Sequence, residues 1–420
     1  MSRHFILTPF GSAGDVNPFL WIARGLRERG HAVTLIVAPP FAEVARRAGV
    51  PSAVVGEPEA YERMVRNPDL WHPWRGLNLV LSNAGQATEA YCTAVAAAAE
   101  RGGNGDVVLV GSLLALGARL ARERLGVPLA TIHLQPAVIL SLHDTPVLRA
   151  HFEGFARLPR WLKRAFFALP NPLDRAAGPA VRAACARAGV PPPRRLMREW
   201  MHSPDAVLGL FPAWFGAPQP DWPPRSRLAG FPLYDPGDEQ GLTPELERFL
   251  ADGPPPVLFT PGSAMAHGRE FFATAQAACA RLGARAIFAT AHRDQLPAPR
   301  PATVLAVDYA PFSRLLPRVA AVVHHGGIGT LSQALAAGVP QLVMPMAHDQ
   351  PDNAQRLVRL GVAVRLYPRR FTAARVAAAL RHLQQDPAVR AACAAAAEKV
   401  RADRPAGVVF DALESLRRAA

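Results

Sequence analysis

One local pattern, run twice, constrains this chain more than any other feature: a short apolar segment, a Gly-rich connection, then a helix. In the first half His4–Thr8 (HFILT) reads as a buried strand and Phe10–Asn17 as a Gly-rich loop. Pro18 then opens a helix through Arg29, with Asn17 as its cap. Strands are expected again at Val33–Ala38, Val107–Val110, Leu129–His133 and Val207–Leu210. The pattern restarts with Val257–Thr260, a loop at Pro261–Ser263 and a helix over Arg269–Leu282. Ala286–Ala289, Val304–Val307, Ala321–His324 and Gln341–Met344 follow as strands. Such alternation specifies parallel sheets covered on both faces. At 420 residues the chain fits two doubly wound, Rossmann-like α/β domains facing across a cleft, where such sheets bind ligands. The expected division is 1–215 for the N-terminal domain, 216–241 for a Pro/Gly-rich linker, 242–400 for the C-terminal domain and 401–420 for a helical tail.

The net charge of +14 comes almost wholly from arginine, since Lys163 and Lys399 are the only lysines. No basic run is interleaved with aromatics, so no nucleic-acid partner is expected. From Arg149 to Arg198 only Glu153 and Asp174 oppose a dense series of Arg and Lys. That stretch reads either as a solvated face or as a patch for anionic lipid headgroups. The four cysteines are far apart, form no metal-type pair and fit a reduced cytosol. The N-terminus lacks the apolar core of a signal peptide, and no apolar run is long enough to span a bilayer. A cytoplasmic protein, peripheral on the inner membrane if the basic patch works as such, is expected.

The sharpest chemical signal is His324–Thr330, HHGGIGT, placed between a strand and a helix. Gly326, Gly327 and Gly329 let backbone approach a ligand, and the following helix offers unpaired N–H groups and a positive dipole end. A diphosphate fits there, with side-chain hydrogen bonds from His325 and Thr330. The alternative is a tight turn that binds nothing. Ser263, in the matching loop TPGS, and the run His348-Asp349-Gln350 favour the ligand.

HHGGIGTLSQALAAGVPQLVMPMAHDQPDNAQRL resembles the donor signature of family-one nucleotide-sugar glycosyltransferases with the GT-B fold, and TPFGSAGDVNP resembles the first loop of their bacterial members. The resemblance implies an N-terminal domain that binds the acceptor and a C-terminal domain that binds the nucleotide sugar. It implies that Ser263, His325 and Thr330 hold the diphosphate, that Gly11 and Ser12 lie near it, and that Asp349 and Gln350 bond sugar hydroxyls. Tyr309 would sit near the nucleobase. Gln333 stands where plant relatives carry a ribose-binding glutamate, which points to a deoxyribose and so to a dTDP-sugar. Asp15 is the expected catalytic base, because an acceptor hydroxyl needs a positioned carboxylate to take its proton; its other reading is ordering the loop or capping the helix. A single displacement inverts the anomeric centre. No metal or other cofactor is expected, as the chain has no Asp-x-Asp. Phe10, Trp71, Trp74 and His133 are acceptor-side candidates; His133 reads equally as a core histidine.

Within the family, GSAGDVNPF, GDVVLVGSLLALGAR, REWMHSP, LFPAWF and QPDWPPRSRLAGFPLYD resemble the rhamnosyltransferases of rhamnolipid biosynthesis. That likeness implies L-rhamnose transfer from dTDP-L-rhamnose to a hydroxyalkanoyl lipid, beside an acceptor-supplying protein at the inner-membrane surface. The alternatives are a macrolide or sterol glycosyltransferase using a UDP- or dTDP-hexose, a nucleotide-sugar epimerase, and a non-catalytic glycosyltransferase-like helper. A helper fits poorly with the intact His325, Thr330, Asp349 and Gln350.

Overall fold

A computed structural model of the chain describes residues 2–102, 106–149, 152–237 and 241–417. Two compact units form, one from residues 1–146, 151–232 and 404–420, the other from 147–150 and 233–403.

The first unit is built on seven parallel strands: β1 (His4–Thr8), β2 (Ala32–Val37), β3 (Ser52–Val54), β4 (Val107–Ser112), β5 (Leu129–His133), β6 (Ala206–Gly209) and β7 (Ser226–Leu228). Their order is β3-β2-β1-β4-β5-β6-β7, every pairing parallel. The second unit carries β8 (Val257–Thr260), β9 (Ala286–Ala289), β10 (Val304–Val307), β11 (Ala321–His324), β12 (Gln341–Val343) and β13 (Ala363–Arg365). Its order, β10-β9-β8-β11-β12-β13, is also wholly parallel. The inner strands β1, β5, β8, β9 and β11 are buried at every position, which is why they read as continuous apolar runs. In each sheet the strand order reverses between two neighbours, β1 and β4 in the first and β8 and β11 in the second. The crevice at the carboxyl ends of such a pair is where open α/β sheets bind ligands.

Six helices matter below: α1 (Ala13–Glu28), α2 (Arg160–Ala168), α3 (Arg269–Leu282), α4 (Ile328–Ala337), α5 (Gln350–Arg359) and α6 (Pro405–Ser415). Two expectations are corrected. The helix expected to open at Pro18 starts at Ala13, with Ser12 as N-cap and Pro18 inside it. Asp15 supplies the reason: its carboxylate accepts from Ser12 and so satisfies the helix start well before Pro18. The stretch 216–241, expected as a linker, holds β7 on the edge of the first sheet, and the first unit runs on to Pro232.

The C-terminal helix α6 returns to the first unit. Phe410 stacks on Trp21 of α1 at 5.3 Å between ring centroids, under the Arg29 guanidinium at 4.9 Å. Glu414 pairs with His31 at 3.1 Å and Arg29 at 3.3 Å.

Candidate functional site

In the second unit the loops after β8 and β11 meet at the point of reversal, since Thr260 and His324 are in register. His324 is buried and fixes the turn. Its Nδ1 accepts from the Gly326 N–H (3.1 Å), so its Nε2 donates to Gln341 Oε1 (2.9 Å). Burial holds it neutral, with a pKa of about 4, the bond to Gln341 opposing. The backbone then turns through Gly326 and Gly327 into α4, whose first N–H groups open at Ile328–Thr330.

His325 stands over this helix start. A Cβ on Gly262 would lie 2.7 Å from its Cε1, and one on Gly327 would lie 2.5 Å from its Nε2. Gly262 also holds φ +103°, a conformation that favours glycine. Both loops are therefore shaped around one imidazole. Desolvation, aided by His324 and His348, lowers the His325 pKa to about 3, so the ring is a neutral hydrogen-bonding group at physiological pH. Ser263 is exposed beside Gly262, and Gln295 pins the same loop by donating to the Met265 carbonyl (2.9 Å). Thr330 and Gln333 are half-buried on α4, while Gly329 is exposed.

Asp349 precedes α5 and is half-buried. Asn353, fully buried one turn later, donates to Asp349 Oδ2 (2.6 Å) and to the Gly326 carbonyl (2.9 Å), so it ties the acidic residue to the Gly-rich turn. Gln350 is buried differently from expectation. Its Oε1 accepts from the N–H groups of Met346 (2.8 Å) and Ala347 (3.2 Å), which leaves only its Nε2 to serve a ligand. His348 between these groups is the one non-glycine residue at positive φ (60°) among the described residues. That conformation costs about 1–2 kcal/mol. Sequence reading passed over Asn353, Gln295 and the strain at His348, although the run HDQPDN contains two of them. Tyr309 stands apart, after the edge strand β10. Its hydroxyl donates to Asp235 and accepts from the Gly237 N–H (3.1 Å), while about half of the residue (53%) is exposed.

In the first unit the point of reversal lies between β1 and β4, and Phe10, Gly11, Ser12 and Asp15 follow β1. Asp15 Oδ2 accepts from the Ser12 N–H (2.7 Å) and the Ser12 hydroxyl (3.0 Å). Any Cβ on Gly11, at φ +133°, would meet that oxygen at 2.3 Å. Asp15 therefore sits in the first turn of α1, not in a flexible loop. Burial raises its pKa above the ordinary aspartate value, and the two Ser12 bonds pull the other way. A carboxylate so placed can cap a helix and can take a proton. Phe10 is half-buried against Tyr91, at 5.7 Å between rings.

The other acceptor-side candidates sit in differing surroundings. His133 is buried and bonded to His202 (2.9 Å), and burial pushes its pKa well below the ordinary value, His202 adding to the effect. That is a core histidine. Trp71 is half-buried in a short 3-10 turn, and Trp74 is exposed and forms an edge-type ring pair with Phe152, 6.0 Å between centroids. Among the described residues no group of three or more His, Cys, Asp or Glu side chains is arranged to hold a metal ion.

Comparison with known proteins bears on this geometry. Residues 5–141 match the glycosyltransferase family 28 N-terminal domain, and residues 276–416 match the C-terminal domain of erythromycin biosynthesis protein CIII-like proteins. The O-mycaminosyltylonolide 6-deoxyallosyltransferase of Streptomyces fradiae is 31% identical over 405 residues, covering 95% of this chain and 94% of the relative. The glycotransferase of kitacinnamycin superposes with a TM-score of 0.73 at 23% identity, covering 98% of this chain and all of that one (100%). A spinosyn rhamnosyltransferase complexed with thymidine diphosphate gives 0.66 at 19%, covering 97% and 99%. The fold is that of GT-B glycosyltransferases, and the family matches with the 31% identical relative show a nucleotide-sugar-dependent glycosyltransferase. The chain belongs to the macrolide-type members of family one.

Proposed function

We propose that the chain moves a 6-deoxyhexose, L-rhamnose first among them, from a dTDP-sugar to a hydroxyl of a lipophilic acceptor, with inversion at the anomeric carbon. The observation that carries this reading is the junction of the β8 and β11 loops around His325 at the start of α4. Backbone N–H groups of Gly327, Ile328, Gly329 and Thr330, with Ser263 and the neutral His325 as side-chain donors, offer a preformed cradle for a diphosphate, and Gly326, its own N–H spent on His324, lets the backbone turn close to it. Gly11 and Ser12 are assigned to the donor phosphates as well. Asp349 accepts from sugar hydroxyls, Gln350 Nε2 donates to them, and Gln333, where a glutamate would grip a ribose 2′-hydroxyl, suits a deoxyribose. Tyr309, tied to Asp235, offers its exposed ring to the base. A 6-deoxy sugar suits a site with few sugar-directed groups, and the relatives described above include a 6-deoxyallosyltransferase and a rhamnosyltransferase with bound thymidine diphosphate.

In the reaction, the Asp15 carboxylate takes the acceptor O–H proton as that oxygen attacks C1. The C1–O bond to the diphosphate breaks, and dTDP leaves with both electrons of that bond onto the helix-start donors. The carboxylate's raised pKa favours proton uptake. The acceptor has two readings. The 31% identical relative is named for transfer of 6-deoxyallose to O-mycaminosyltylonolide, which favours an acceptor of that kind. The segments quoted from this chain favour a hydroxyalkanoyl lipid, with an acceptor-supplying protein and the inner membrane as partners.

Replacing His325 by alanine tests the cradle. Losing one hydrogen bond to a charged phosphate should weaken dTDP binding by about 10- to 100-fold in titration calorimetry. Unchanged affinity would remove His325 from the diphosphate site.

A further inference from the structure

One surface of the first unit takes no part in the chemistry above. Helix α2 is folded with its polarity reversed. Its lysine, Lys163, is 3% exposed and donates to Thr145 Oγ1 (3.0 Å) and the Ala156 carbonyl (3.2 Å). At 100° per residue, Trp161, Leu162, Ala165, Phe166 and Ala168 fall on one arc of about 160°, and Leu169 follows as the C-cap. All six are exposed, Trp161 at 71% and Leu169 at 61%. Scattered apolar residues on a surface are ordinary, but a continuous arc on one helix marks a surface that something covers. The arc extends through ring contacts: Phe166 meets Phe155 at 4.9 Å, Phe155 meets Phe152 at 6.3 Å, and Phe152 meets the exposed Trp74 at 6.0 Å.

Charge identifies the cover. Arg157, Arg160 and Arg164 are exposed around the arc, and Glu153 is the only acidic residue between 149 and 173. Farther along the basic stretch three of the arginines are engaged elsewhere: Arg187 pairs with Glu89 (2.6 Å), Arg195 with Glu199 (3.2 Å), and Arg198 lies over Phe167 (4.7 Å), while Arg175, Arg182 and Arg194 are exposed. Exposed cationic charge with little acidic counterweight thus lies at the helix whose apolar arc is exposed. A second copy of the chain would bring the same cationic rim against itself. An anionic bilayer answers both features, with indole and phenyl rings at the headgroup level and arginines reaching the phosphates.

We propose that α2 is an interfacial anchor that lays its Trp161–Leu169 arc into the surface of an anionic phospholipid membrane. The proposal deepens the lipophilic-acceptor reading, because such an acceptor partitions into the same bilayer, but its test uses neither donor nor acceptor.

The test is sedimentation of the full chain with phosphatidylcholine vesicles and with vesicles containing phosphatidylglycerol, at low and high salt. The chain should bind the anionic vesicles at 50 mM salt and release at 500 mM. Arg160→Glu/Arg164→Glu should lower partition at least tenfold, at about fivefold or more per arginine. Trp161→Ser/Phe166→Ser should lower it to a similar degree, with unfolding midpoints close to that of the parent. Failure of the parent chain to bind anionic vesicles at low salt would overturn the proposal. So would equal binding by folded variants, or a parent dimer in solution that Trp161→Ser/Phe166→Ser dissolves.

Discussion

Asp15→Asn separates the two roles that the structure permits for this residue. Asparagine keeps an oxygen able to accept from the Ser12 N–H, now 2.7 Å away, so the start of α1 is retained. It loses the negative charge at the helix N-terminus, worth about 0.3–1 kcal/mol. The linkage sign is opposite for the buried carboxylate. A raised folded-state pKa contributes stability below the unfolded pKa of about 3.9 and loses it as pH rises through the folded value. At neutral pH that contribution is already spent, so removing the charge relieves desolvation. The two effects offset, and the net change should stay within about 1 kcal/mol, or about 2–4 °C in unfolding midpoint for a unit of this size. Turnover behaves differently. Losing a positioned general base should slow transfer by about 10²- to 10⁴-fold, roughly 3–5 kcal/mol of activation free energy. Three measurements decide: transfer rate by chromatography, dTDP affinity by calorimetry and thermal unfolding by circular dichroism. Turnover within threefold of the parent would refute the base role and leave Asp15 as a cap.

Three further outcomes are expected. The pH profile of kcat/KM should fall on its acid side with an apparent pKa above the ordinary aspartate value, since burial raises Asp15, and that limb should vanish in whatever residual activity Asp15→Asn keeps. Asn353→Ala should raise KM for the donor more than it lowers kcat, because it releases Asp349 and the Gly326 carbonyl together, and should cost about 1–3 kcal/mol in urea unfolding; an unchanged KM would mean that the tie does not position the donor site. Phe410→Ala should destabilise the first unit by about 3–5 kcal/mol in the same assay, as it removes the ring that seats α6 on Trp21 and Gly25; a loss below 1 kcal/mol would show that α6 adds little.

The inner strands were legible because residues buried on both faces leave unbroken apolar runs, as in HFILT and VLFT. The edge strands β3, β7 and β13 were not. Each is three residues long and half-exposed or more, so SAV, SRL and AVR carry no such run. Pro18 misled the reading of α1, since a proline favours a first turn, while the Ser12–Asp15 pairing that opens the helix earlier is a side-chain interaction across three residues. In the loops after β8 and β11, glycine and histidine spacing pointed to the turn around His325. The tie from Asn353 to Gly326 was hidden because it joins positions 27 residues apart. Gln350 was read as facing a sugar, yet its oxygen closes the turn at Met346 and Ala347, a choice that only backbone geometry reveals. The bare arc of α2 lay inside a stretch read from its charge alone. Only the structure shows that Lys163 points inward and Trp161 outward.

The central claim is that the loops around His325 hold a dTDP-6-deoxysugar for transfer. Its most direct test offers dTDP-L-rhamnose, dTDP-glucose and UDP-glucose separately to the purified chain with a hydroxyalkanoyl lipid dimer and with a macrolide aglycone, each in detergent. Rhamnosylated product from dTDP-L-rhamnose, lost in His325→Ala and in Asp15→Asn, is the predicted result. Transfer from UDP-glucose alone, or no binding of dTDP, would contradict it.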